Sequence, residues 1–215
     1  MPDINYPWAG HKYFAYDLVR NLKPERVVEL GTYKGTSFFS FCQAVKDGDI
    51  KTELVAVDTW RGDKHSGYYD NSVYNHVIKV KNTYYSELKI HFLRKTFDKA
   101  AREFDNNSID ILHIDGLHTY QAIKHDFDNW HQKTRRNGVI LLHDTAERMK
   151  DFGVYKLWNE LENKFNTISF THSHGLGVLV LDNLLFNEIS KSADSWKKHY
   201  ESIYKKKGLA DADQC

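Results

Sequence analysis

Val27-Val28-Glu29-Leu30-Gly31-Thr32-Tyr33-Lys34-Gly35-Thr36-Ser37 is an apolar run that ends in a carboxylate and then breaks into two spaced glycines. It reads as a buried strand, a tight turn and the start of a helix. Gly31 and Gly35 let the backbone approach a ligand, and Thr36 and Ser37 supply hydroxyls where a helix leaves N–H groups unpaired. The turn suits a small polar ligand and suits equally an ordinary strand-to-helix connection that binds nothing.

Outward from this stretch the pattern repeats. On its N-terminal side Tyr13, Phe14, Tyr16, Leu18, Val19 and Leu22 recur at rough helical spacing until Pro24 ends the run. On its C-terminal side Phe38, Phe39, Phe41, Cys42 and Val45 predict a helix closing near Asp47-Gly48, and Leu54-Val55-Ala56-Val57-Asp58 is a second strand ending in an acid. The interval between the two strands suits a βαβ unit of ~30 residues. Arg61 to Asn71 turns polar, with Gly62, Gly67, His65, Tyr68 and Tyr69, and reads as a lid.

Further strands are predicted at Ile90–Leu93, Ile109–Asp115 and Val139–Leu142, the last preceded by an Asn137-Gly138 turn. Helices are predicted around Val73–Val80, from Phe97 to Phe104, through Tyr120, Ile123, Phe127 and Trp130, and through Leu157, Trp158, Leu161 and Phe165. Thr167–Phe170 and Gly177–Leu181 read as a hairpin whose connection, Thr171-His172-Ser173-His174-Gly175, is expected to be a solvated turn. Strands alternating with helices imply a doubly wound α/β domain with a mostly parallel sheet and an antiparallel C-terminal hairpin. The expected organisation is an N-terminal loop and helix over residues 1–24, the α/β domain over 25–182, and a helical extension with a frayed Lys-rich tail over 183–215.

Bulk properties narrow the partners. The 215 residues suit one domain, and a formal net charge of +1 gives no field that would draw the chain to nucleic acid or an anionic membrane. Met1 to Gly10 resembles neither a signal peptide nor a membrane anchor, and two cysteines, Cys42 and Cys215, make no disulfide framework, so the expectation is a cytoplasmic chain without a membrane span. Aromatic residues in the lid and first helix would permit a homodimer.

In an open parallel sheet, ligands bind beyond the carboxyl ends of the strands, where strand order reverses. Glu29, Asp58, Asp115 and Asp144 each close or follow an apolar run, so four strands would deliver acids to one crevice. A nicotinamide fingerprint would need G-x-G-x-x-G, but Tyr33 and Thr36 occupy two of its glycine positions.

The combination E-L-G-x-Y-x-G-x-S, then V-D, then I-D-G-x-H and later H-D, resembles class I S-adenosylmethionine-dependent methyltransferases, in particular the divalent-metal O-methyltransferases and their relatives. The resemblance spans roughly Val27 to Thr145. It implies a Rossmann-like methyltransferase fold with a seven-stranded sheet, S-adenosylmethionine as donor, and a Mg²⁺ or other divalent cation. Implied donor contacts are Glu29, Gly31, Thr32, Tyr33, Gly35, Ser37, Asp58, Thr59, Trp60 and Asp115, with Asp58 on the ribose. Asp115 and Asp144 are the implied metal ligands, and His143 is a third candidate because Thr145 stands at the family's third position. His118 stands where catechol-type members carry a basic lysine, and a histidine can accept a hydroxyl proton near neutral pH. His118 and Asp115 are therefore the catalytic candidates, and His118 could equally be a metal ligand.

Trp60 to Tyr69 and Asp151-Phe152-Gly153-Val154 also resemble a subgroup found beside glycosyltransferases in glycan and natural-product pathways. That likeness implies a small-molecule or saccharide acceptor, with His65, Tyr68 and Tyr69 as candidate contacts. The alternative is a nonenzymatic adenosyl-ligand-binding or partner domain that keeps the fold.

Overall fold

A computed structural model describes residues 7–149, 151–191 and 193–206. Its central sheet has seven strands: β1 Arg26–Leu30, β2 Glu53–Asp58, β5 Lys89–Arg94, β6 Ile109–Ile114, β7 Thr134–His143, β8 Asn166–Phe170 and β9 Leu176–Val180; β3 Gly62–Asp63 and β4 Gly67–Tyr68 form a separate small hairpin. The helices are α1 Lys12–Leu22, α2 Thr36–Gly48, α3 Asn71–Tyr84, α4 Phe97–Ala101, α5 Tyr120–Trp130, α6 Val154–Glu162, α7 Asn183–Ser190 and α8 Ala193–Lys206.

Strand order is β5-β2-β1-β6-β7-β9-β8. Neighbours from β5 to β7 are parallel, and β9 pairs antiparallel with both β7 and β8. The chain runs outward from β1 to β2 and β5, then returns to the other side of β1 with β6. The switch point therefore lies between the carboxyl ends of β1 and β6, at Gly31 and Asp115.

Alternation along the buried strands divides the core into two layers. Val27, Leu54, Ala56, Ile111, Val139 and Leu141 face α1, α2 and α3, whereas Val28, Val55, Val57, Leu112, Ile114, Ile140 and Leu142 face α5 and α6. α1 ends at Lys23 in the left-handed conformation, its N–H donating to the Val19 carbonyl, and Pro24 prevents continuation. Asp70, Thr96, Thr119 and Asp182 each cap a helix by accepting from a backbone N–H two or three residues on.

Two details differ from the sequence pattern. Asn137-Gly138 lies within β7 and makes no turn; the register against β6 shifts there, from Ile109 opposite Thr134 to Ile111 opposite Val139. A β-carbon on Gly138 would lie 2.9 Å from the Asp110 carbonyl oxygen, so the glycine serves a close strand approach. α4 also stops at Ala101, short of Phe104.

Both flanking segments pack on the central core. Trp8, Phe14, Leu18 and Val19 enter it from the N-terminal side, and Tyr200 of α8 joins the same cluster while donating its hydroxyl to Asp17 at 2.5 Å. The frayed tail expected beyond Lys206, with Cys215, lies outside the described residues. Among the described residues no helix is long and apolar enough to cross a membrane.

Candidate active site

A cleft of about 960 Å³ opens at the switch point. Gly31 sits at φ +86°, and a β-carbon there would lie 2.0 Å from the carbonyl oxygen of Asp115, so only glycine allows β1 and β6 to converge so closely. Asp58 fixes the loop beyond it. One carboxylate oxygen accepts from the N–H groups of Thr32 and Tyr33, each at 2.9 Å, and the other from Trp60 N–H at 2.7 Å. Asp58 lines the cleft, yet most of its acceptor capacity is committed to backbone. The hydroxyl of Thr32, buried in the same wall, has no hydrogen-bond partner among the described residues.

Gly31, Thr32, Tyr33, Gly35, Ser37, Asp58, Thr59 and Asp115, all expected donor contacts, line this cleft, but Glu29 and Trp60 do not. Glu29 is fully buried and accepts from His113 Nδ1 at 2.9 Å, because Trp8 Nε1–H donates to His113 Nε2 at 3.1 Å and leaves the imidazole proton on Nδ1. The Trp60 ring is buried behind the loop, with Nε1–H donating to the Tyr33 carbonyl at 3.0 Å. Both residues are buried behind the cleft wall and support the loop from there.

Across the cleft, β6 and β7 deliver the acids. His118 Nε2 lies 2.9 Å from Asp144 Oδ2 and 3.5 Å from Asp115 Oδ1. Asp115, His118 and Asp144 each offer a ligand atom, all within 4.8 Å of one another, and they are the set of this kind found among the described residues. His143 stands behind them, Nδ1 3.5 Å from Asp115 and 3.3 Å from Asp144, Nε2 3.1 Å from the Ser173 carbonyl. His118, and not His143, stands with Asp115 and Asp144 in that group. Asp144 itself is left-handed, at φ 61°, and its Oδ2 meets both His118 and His143.

Charge within this group is tightly coupled. Burial disfavours the carboxylate forms, but the neighbouring imidazoles, His143 foremost, hold Asp115 and Asp144 well below the usual range. Burial likewise opposes the cation of His118, yet its hydrogen bonds to Asp115 and Asp144 outweigh this and raise its pKa to about 10. His143 is raised well above its ordinary value by the same two carboxylates acting against burial. While both carboxylates face it unneutralised they favour the imidazolium, so a base at His118 requires that something offset the charge of Asp115 and Asp144.

The lid completes the cleft. His65 and Tyr69 line it; Tyr68 is 82% exposed on the outer edge of the small hairpin and does not. The Tyr33 and Tyr69 rings meet at 5.2 Å over the glycine loop. His65, His118 and Phe152 form a set of near-parallel rings with centroids 4.7–5.6 Å apart.

The turn expected to be solvated is instead built into the site. Ser173 is buried, and its carbonyl takes both His143 Nε2 and His11 Nε2 at 3.1 Å, while His174 Nδ1 meets Glu147 at 2.8 Å. Trp8, Glu147 and Phe152 also line the cleft. Phe152 lies in a motif that the sequence does single out, but Trp8 and His11 carry no local signal, since only the fold brings the N-terminal turn to this edge.

Residues 28–145 match the family described as "Methyltransferase domain". An uncharacterized protein of Sinorhizobium fredii, y4gI, is 44% identical over 177 residues, which are 82% of this chain and 19% of that protein. The chain thus spans about one-fifth of that relative's length. Among solved structures, a methyltransferase from Geobacter sulfurreducens superposes with a TM-score of 0.59 at 17% identity, covering 80% of this chain and 78% of its own. The O-methyltransferase TomG from Streptomyces achromogenes, in complex with SAM, gives 0.60 at 13% identity and 80% of each chain. An O-methyltransferase from Bacillus cereus in complex with SAH gives 0.58 at 12% identity, again over 80% of each. These likenesses extend to the fold, and the match over residues 28–145 decides membership: the chain belongs to the methyltransferase-domain family.

Proposed function

We propose that this chain moves the methyl group of S-adenosylmethionine to a hydroxyl oxygen of a small molecule or saccharide, assisted by a divalent cation. The convergence of Asp115, His118 and Asp144 beside the glycine loop carries the reading. The loop half of the cleft offers a glycine cradle, an unpartnered buried hydroxyl on Thr32 and aromatic cover from Tyr33 and Tyr69, which suit a polar nucleoside-containing donor. The other half offers two carboxylates and an imidazole, a donor set that fits Mn²⁺ or Zn²⁺ and, through its carboxylates, Mg²⁺. Such a cation would lower the pKa of a bound hydroxyl and orient it.

The chain's own groups have separate tasks. Asp115 spans both halves, its carbonyl against Gly31 and its carboxylate toward His118, and so sets the donor's distance from the acceptor. Asp144 and Asp115 supply negative charge, His118 completes the ligand set, and His143, anchored on Ser173, holds the carboxylates in place. The lid and Phe152 cover them on the open side.

A second reading has its own observation. His118 and His143, both held as cations, balance Asp115 and Asp144 without any ion. In that case the same residues hold the acceptor by hydrogen bonds. Calorimetry of the full chain separates the two. Binding of S-adenosylhomocysteine together with Mn²⁺ or Mg²⁺, with the cation lost in Asp144→Asn, supports the cation reading. Donor-product binding with no cation uptake moves the function to the second, and binding of NAD without any adenosyl-sulfur compound would sink both.

A further inference from the structure

We infer that the lid is part of the catalytic constellation: His65, held by Asp151, is a positioning residue that sets the imidazole of His118. This rests on the methyltransferase reading of the Asp115–His118–Asp144 site and names a residue that completes it.

His65 occupies the tip between β3 and β4, a hairpin whose outer residues are exposed, yet its side chain is only 9% accessible. The hairpin is a stiff clip. Asp63 accepts from His65 N–H at 2.7 Å and Ser66 N–H at 2.9 Å, and a β-carbon on Gly62 would lie 1.9 Å from the Gly67 carbonyl. The clip aims one ring inward. His65 Nδ1 is 3.4 Å from His118 Nδ1, with the two rings within 9° of parallel, and His65 Nε2 is 2.8 Å from Asp151 Oδ1.

Asp151 lies on the opposite bank, between β7 and α6, and pairs with Lys64 as well. Phe152, its neighbour, stacks on His65 at 4.8 Å and on His118 at 4.7 Å. That bank is itself tied to the His118 loop, since Gly153 N–H donates to the His118 carbonyl at 2.7 Å. A β-carbon at Gly153 would lie 2.4 Å from Tyr120 N, so the two segments meet at backbone contact.

The outcome is a chain of contacts, Asp151 to His65 to His118 to Asp144, that runs from the exposed rim to the buried acids. His118 Nε2 faces the acids, and its far side has two neighbours, the Phe152 face and His65 Nδ1. Its ring plane and the direction of Nε2 are therefore fixed from the lid side. Outer partners of this kind typically matter to a metal site about as much as its weaker ligands do.

The test uses the ¹⁵N-labelled full chain and long-range ¹H–¹⁵N spectra of the imidazoles, without added metal. Asp151→Ala is the decisive variant because it does not touch His118. It is expected to move the His118 ring nitrogen resonances with the melting temperature unchanged. His65→Phe, which keeps a flat ring against Phe152, is expected to do the same. Mn²⁺ affinity should fall about tenfold in both, while Lys124→Met, which removes an exposed ion pair with Asp128 on α5, away from the cleft, should stay within about twofold of wild type. His118 resonances unchanged in Asp151→Ala would overturn the proposal. Failure of the wild-type chain to bind Mn²⁺ would remove the cation reading instead, and the spectra would still decide the role of His65.

Discussion

Asp126 illustrates how a single buried acid departs from its ordinary behaviour. It lies on α5, buried, near Gly116 and Phe97. Burial, reinforced by Asp98 and opposed by His125, raises its pKa to about 7. Between the ordinary Asp range and pH 7 the folded chain therefore holds a proton that the unfolded chain has released. Stability falls as pH rises through that window and levels off above it. Asp126→Asn should remove this slope and stabilise the fold at pH 8 by roughly 2–4 kcal/mol, while changing little at pH 4; urea unfolding of both proteins at the two pH values checks it. At this scale the sequence is uneven. Gly31, Asp115 and Asp144 are legible because a strand end, a glycine and an acid have local meaning. Glu29 and Trp60 are not, because which side of a loop a side chain faces depends on what packs behind it, here Trp8 with His113 for the one and Tyr33 for the other.

Among the elements, the β8–β9 connection departs furthest from its sequence expectation. Polar, glycine-terminated hairpin turns are normally solvated, but this one places Ser173, His174 and Gly175 in succession at positive φ, 51°, 62° and 90°. The strain has a function at hand: it aims the Ser173 carbonyl at two imidazoles and sets the His174 carbonyl to accept from Ala146 N–H at 2.9 Å, bracing the Asp144 loop. Gly175 has no room for more, since a β-carbon would sit 2.4 Å from Ala146 N. Gly175→Ala is thus expected to cost about 2 kcal/mol or more, read as a drop in melting temperature. It should also weaken Mn²⁺ binding, since His143 loses its anchor. Normal cation affinity in a destabilised variant would show the turn to be scaffold alone. The strands and helices themselves follow from apolar periodicity, whereas this turn packs against partners far away in sequence, Gly10 on Ser173 and Tyr204 of α8 on His172.

For the molecule as a whole, the switch point makes the proposed donor and cation sites unequal partners. Both meet at Asp115, whose carbonyl touches Gly31 and whose carboxylate belongs to the acidic cluster, but Asp144 belongs to one side only. Gly31→Ala forces its new β-carbon against the Asp115 carbonyl at 2.0 Å and must push β1 and β6 apart. It is expected to weaken both S-adenosylhomocysteine and Mn²⁺ by about tenfold or more, since a displacement of even 1 Å is enough to disrupt such geometry. Asp144→Asn removes a charge from the acceptor side without moving the loop. It should lose the cation while holding S-adenosylhomocysteine within about twofold of wild type, since Asp144, unlike Asp115, makes no contact with the glycine loop. Titrating each ligand into each variant by calorimetry gives four affinities whose pattern carries the inference. If Gly31→Ala loses the donor product and keeps the cation, Asp115 does not couple the halves and its backbone role ends at the glycine. If Asp144→Asn loses both, the two ligands share one charge-dependent pocket, and the division of the cleft into donor and acceptor halves has to be redrawn.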